Sequence, residues 1–129
     1  MGCDIHAFVE HRKPSTRAGY MDEWDSLFTI GDDLFLPRHY GVFGQLAGVR
    51  REGNKVEPRG IPPNACHYTK AEYEMCGADA HTPSWLTPDE FEAALDGMQE
   101  TDEYRALLAA MREMQRLGSE ARIVFWFDN

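Results

Sequence analysis

Two short stretches of the 129-residue chain place an aspartate and a histidine two positions apart: Asp4 and His6 in MGCDIHAFVEH, and Asp79 and His81 in GADAHTPSWLT. In an extended strand, residues i and i+2 share a face about 6–7 Å apart, so a carboxylate and an imidazole with this spacing can converge on one ion or one substrate group. Neutral imidazole and carboxylate suit zinc, manganese or iron, and an aspartate can instead orient a histidine for general-base work. Asp128, near the other end of the chain, supplies a further carboxylate. Asp4, His6, His81 and Asp128 therefore form the candidate ligand set for a divalent transition metal. A thiolate zinc site from Cys66, His67, Cys76 and His81 is a weaker alternative, because its spacing matches no standard zinc pattern.

A second kind of chemistry lies in the charge distribution. The chain carries 13 Lys plus Arg against 22 Asp plus Glu, a net charge of −9, which opposes binding to long nucleic acid. Residues 35–70 reverse the sign: Arg38, Arg50, Arg51, Lys55, Arg59 and Lys70 stand against Glu52 and Glu57 only, a local excess of four positive charges. Such an island suits a small anion. Arg50, Arg51 and Arg59 are the candidate phosphate clamp, Tyr40 or Trp85 the ring that stacks on a base, and Ser84 a hydroxyl donor. Arg59 sits in EPRGIPP, where Pro58, Pro62 and Pro63 stiffen the backbone of a long irregular segment.

These side chains need elements to hold them. In MGCDIHAFVEH, Cys3, Ile5, Ala7 and Val9 form an apolar face opposite Asp4, His6, Phe8 and Glu10. RIVFWFDN is apolar on both faces, which places it centrally in a sheet, and WDSLFTI at 24–30 is a further expected strand. LTPDEF carries a helix start, with Thr87 as N-cap, Pro88 at the first helical position, Glu90 completing a capping box and Leu86 and Phe91 as a staple, for a helix over 87–98. Tyr104, Leu107, Leu108, Met111, Met114 and Leu117 make a helical stripe over 101–117 that Gly118 closes. A shorter helix is expected from Thr69, boxed by Glu72 and ended by Gly77. Another, weakened by Gly41, Gly44 and Gly48, is expected in YGVFGQLAGVR.

The expected fold is one α+β domain over residues 1–129, a small mixed or antiparallel sheet containing both terminal strands with helices on one face. With 43% hydrophobic residues the chain can bury a core without disulfides, and its three cysteines lack a CxxC pair, so reduced thiols are expected. No apolar run reaches the length of a membrane span and the start lacks a signal-peptide pattern, so a cytosolic protein is expected.

MGCDIH, YGVFGQLAGVR, EPRGIPP, DAHTPSWLT and VFWFDN, in this order, resemble a family of small proteins encoded by bacteriophages and prophages, and the similarity spans nearly the whole chain. The resemblance implies viral origin and action in the bacterial cytoplasm. It assigns no activity, cofactor or residue. Capture of a small phosphorylated, nucleotide-type ligand such as a host defence signal is the favoured function, because no P-loop, GxSxG or HExxH motif supports an enzyme; metal-dependent hydrolysis of a phosphate-containing substrate and inhibition of a host protein are the alternatives. A homo-oligomer is compatible with each.

Overall fold

The computed structural model describes residues 2–13, 23–27 and 36–129. In chain order the elements are β1 (Asp4–Arg12), β2 (Asp25–Ser26), α1 (Tyr40–Ala47), α2 (His67–Cys76), a single 3-10 turn (Gly77–Asp79), β3 (Ala80–Leu86), α3 (Pro88–Leu95), α4 (Asp102–Arg116) and β4 (Glu120–Asp128). The strands form one antiparallel sheet in the order β2-β1-β4-β3, with both terminal strands in its middle. β4 is central, as its two apolar faces require: Ala121 through Phe127 are all buried. Of the strand expected over 24–30, Asp25 and Ser26 pair with β1, and residues 28–30 lie outside the described residues.

Register fixes which side chains share a face. Asp4 stands opposite Asp128, His6 opposite Trp126, Phe8 opposite Val124 and Glu10 opposite Arg122. The other face carries Ile5, Ala7 and Val9 beside Phe127, Phe125 and Ile123. Onto it pack Val42, Phe43 and Leu46 of α1, Phe91 and Leu95 of α3, and Tyr104, Leu108 and Met111 of α4. This is the main core, and three helices cover it. α2 adds cover on the opposite face, where it lies over Trp126 and Glu10.

Local chemistry explains most element ends. Thr87 Oγ1 accepts from Glu90 N–H, and the Glu90 carboxylate accepts from Thr87 N–H, so the expected capping box forms. α4 closes through Gly118, whose φ of +92° suits glycine; Gly118 N–H donates to Gln115 O and Ser119 N–H to Met114 O. Leu117 falls at the cap and is exposed, so it leaves the expected stripe. The start expected at Thr69 is corrected: α2 begins two residues earlier, with Cys66 as N-cap and no side-chain cap. Thr69 is fully buried, and its hydroxyl donates to Glu10 Oε2 at 2.7 Å, so it was recruited by tertiary structure rather than by its own helix.

Glu10 is the polar centre of this second layer. Arg122 Nε donates to Oε1 at 2.8 Å, and Cys66 N–H and Thr69 Oγ1 donate to Oε2 at 2.8 and 2.7 Å. Arg122 also donates to the side-chain and backbone oxygens of Asn64. Neither Glu10 nor Arg122 retains appreciable exposure. Burial pulls the Arg122 pKa below its ordinary value, and the carboxylate opposes that pull. Removing one member strands the other charge in the interior, so Glu10→Ala should lower unfolding free energy by about 3–5 kcal/mol in urea denaturation. A loss below about 1 kcal/mol, the range of an exposed ion pair, would contradict this account.

Candidate metal centre at one end of the sheet

Most of the chemistry-bearing side chains meet where β1 begins and β4 and α2 end. His6, on β1, reaches Asp128, on β4, and their Nε2 and Oδ2 atoms are hydrogen-bonded. Cys76 closes the group from the last position of α2: donor atoms of His6, Cys76 and Asp128 all lie within 4.8 Å of one another, and all three residues are half-buried. The surroundings hold this geometry. Trp126 Nε1–H donates to Cys76 Sγ at 3.3 Å, the His6 ring stacks on Trp126 with centroids 5.8 Å apart, and Tyr73 meets the same indole edge-on. One sulfur, one imidazole and one carboxylate make a donor set suited to zinc, and three protein ligands leave a coordination position open.

Of the four ligands expected from sequence, the structure brings His6 and Asp128 together and turns the other two elsewhere. Asp4 shares their face but is held by Arg38, whose Nε donates to Oδ1 at 2.6 Å; that hydrogen bond keeps the carboxyl below its usual pKa. His81 belongs to the other face, opposite Phe127, where its ring stacks; Nδ1 contacts Thr82 Oγ1 and Nε2 contacts Asn129 Oδ1. Asp79 lies in the 3-10 turn before β3. The thiolate set is likewise dispersed: Cys66 and Cys76 occupy opposite ends of α2, about 15 Å apart by helical rise, and Cys66 bonds to Thr69.

Cys76 is thus the member of the cluster that the sequence grouped with other partners. Its signal was present but weak: Thr69, Tyr73 and Cys76 recur at i, i+4 and i+7, the stripe by which α2 contacts the sheet.

The six residues expected to clamp a ligand separate into two groups. Tyr40 and Arg50 lie at the end of the sheet where β1 begins. Arg50, with φ of +63°, holds its guanidinium 5.2 Å from the Tyr40 ring centroid, and Tyr40 Oη accepts from Cys3 N–H. Arg51 lines a recess of about 560 Å³ with Arg38, His39 and Tyr40. Arg59, Ser84 and Trp85 gather instead along β3, an edge strand. Arg59 N–H donates to Ser84 Oγ and Gly60 N–H to Pro83 O, so EPRGIPP runs along that edge and blunts it. The Arg59 fork is engaged by Glu90 at 2.7 and 2.5 Å and lies 4.4 Å from the centroid of Trp85. It braces loop, strand and helix against each other.

No protein-family model, no curated protein and no solved structure matches the chain. Among the described residues no helix is long and apolar enough to cross a membrane. Among the described residues the protein is an α+β domain with an antiparallel four-stranded sheet and a Cys/His/Asp cluster at one of its ends.

The Arg59–Glu90 contact has a pH signature. The Arg59 hydrogen bonds, against some desolvation, hold the Glu90 carboxyl at about 2 rather than its ordinary 4.5. A depressed folded pKa stabilises the fold fully above 4.5, and the contribution is lost as pH falls towards 2. Glu90→Gln should therefore be less stable than the parent at neutral pH, and the gap in Tm should close across that acid window. A gap that stays constant to pH 2 would assign the effect to the Thr87 cap instead.

Proposed function

We propose that the protein is a metal-dependent hydrolase acting on a phosphate-containing substrate. The observation that carries the reading is the convergence of His6, Cys76 and Asp128. A transition metal held by these three would supply a Lewis acid and lower the pKa of bound water. The chain's own residues set the rest. Trp126 orients the Cys76 sulfur and backs the His6 ring, which fixes two ligands before metal arrives. Arg38, beside the cluster through Asp4, and Arg50, over Tyr40, bring guanidinium charge to the same end of the sheet, where it can receive a phosphate and stabilise charge that develops on it.

A second reading, capture of a small phosphorylated ligand without turnover, draws on the recess lined by Arg38, His39, Tyr40 and Arg51, a cationic hollow with an aromatic wall. Arg51 has no ion-pair partner among the described residues, unlike Arg38, Arg59, Arg112 and Arg122. In either reading, a phage-encoded protein would act on nucleotide-type signals in the bacterial cytoplasm.

Protein purified without a polyhistidine tag should contain about one transition-metal ion per chain by elemental analysis. His6→Ala and Cys76→Ser should each lose it, by more than the roughly 10- to 100-fold in affinity that removal of a supporting partner costs. Incubation with cyclic dinucleotides and ADP-ribose then separates the two readings: a metal-dependent cleaved product establishes hydrolysis, whereas intact recovered ligand establishes capture. Protein that takes up neither zinc nor manganese when these are supplied would defeat the metal reading.

A further inference from the structure

We propose that Cys76 is the oxidant-modification site of this protein, where a peroxide converts the ligand sulfur to a sulfenic acid and releases the metal, a step that rests on the metal reading above and gives that centre its regulation. Imidazole and carboxylate withstand mild peroxide. The sulfur is therefore the one donor of the cluster that such an oxidant can change.

The three cysteines stand in different surroundings. Cys3 and Cys66 are buried, and burial pushes both thiols above their ordinary pKa, which keeps them protonated and slow to react. Cys66 is also engaged by the Thr69 hydroxyl, 3.3 Å away. Cys76 is only half-buried, at the last position of α2, and the exposed residues Gly77, Ala78 and Asp79 follow it. A metal held by His6, Cys76 and Asp128 binds this sulfur as the thiolate, the form that reacts with peroxide, and the Trp126 indole N–H, 3.3 Å away, holds it in place. Reactive form and open position thus coincide at one residue.

The step is a two-electron oxidation of sulfur. The thiolate attacks one peroxide oxygen, the O–O bond breaks as the S–O bond forms, and the departing hydroxide takes a proton from solvent to become water. The resulting S–OH is neutral and a poorer ligand, and it leaves two protein donors where there were three. Cys66 stands at the other end of α2 and Cys3 packs in the main core on the opposite face of the sheet, so neither is placed to trap the sulfenic acid as a disulfide. Small thiols from solution reduce it instead: a pair of them ends as a disulfide, the oxygen leaves as water, and the ligand sulfur returns. The switch is reversible.

The test treats the zinc-loaded full chain with a slight molar excess of hydrogen peroxide, in the presence of a chromogenic zinc chelator and a dimedone probe for sulfenic acid. About one zinc per chain should be released while the probe marks Cys76, and in a parallel sample without the probe dithiothreitol should restore zinc binding. The neighbouring thioether is controlled separately: Met75 is 81% exposed, and Met75→Leu should release zinc as the parent does. Cys76→His supplies a nitrogen ligand that mild peroxide does not oxidise, so zinc bound to this variant should stay bound. Zinc retained by the peroxide-treated parent, the probe found on Cys3 or Cys66 in place of Cys76, or zinc lost from Cys76→His as fast as from the parent would each overturn the proposal and leave the metal reading standing. A chain that takes up no zinc before peroxide is added overturns both.

Discussion

The second layer of this protein hangs on one buried carboxylate. Glu10 on β1 is the acceptor for Arg122 of the neighbouring strand and for the first turn of α2, so strand pairing and helix docking answer to the same two oxygens. Its reach extends to the far end of the sheet. From Thr69 to Cys76 the helix rises about 10 Å, and from Glu10 to His6 the strand runs about 13 Å. A helix pinned at its start over Glu10 therefore delivers its last residue to His6. The ion pair fixes where α2 begins, and ten helical residues carry that position to the thiol.

The sheet works as a spacer between two different chemistries. At one end, donors of three types stand within reach of a single ion and guanidinium groups lie close by. At the other end, indoles and guanidinium planes form flat walls whose charges are already balanced. Nine residues of β4 separate them, and that strand is buried along nearly its whole length. Main-chain pairing on both sides of β4 keeps the distance between the ends rigid.

The parts of this arrangement written in local sequence were legible. The terminal strands, the capping box at Thr87 and the Gly118 stop depend on alternation or on neighbours a few residues apart, and each appears in the structure. So did the pairing of His6 with Asp128, because two central antiparallel strands bring the two ends of the chain together. What could not be read was the choice of partner across long separations. Thr69 looked like a cap because Glu72 follows it, but a carboxylate 59 positions away competes for its hydroxyl and wins. Arg59 looked free to clamp an anion until α3 placed Glu90 across from it. Cys76 showed no zinc spacing because its partners come from both ends of the chain rather than from its own neighbourhood.

β3 contains one residue more than its partner between His81 and Ser84: three steps along β3 match two along β4, and Thr82 takes φ of +53°, an uncommon backbone conformation for a β-branched residue. The extra residue sets the phase of everything after it. Carried on in the register of His81, the strand would oppose Trp85 to Ile123 and Leu86 to Arg122, turning the indole into the apolar core and a leucine towards the ion pair. The bulge thus works as a phase inverter, letting one short strand present His81 to one side and Trp85 to the other. Such a strand tolerates exchange of side chains far better than a change of length, because a single deletion at 82 or 83 would turn the rest of β3 over.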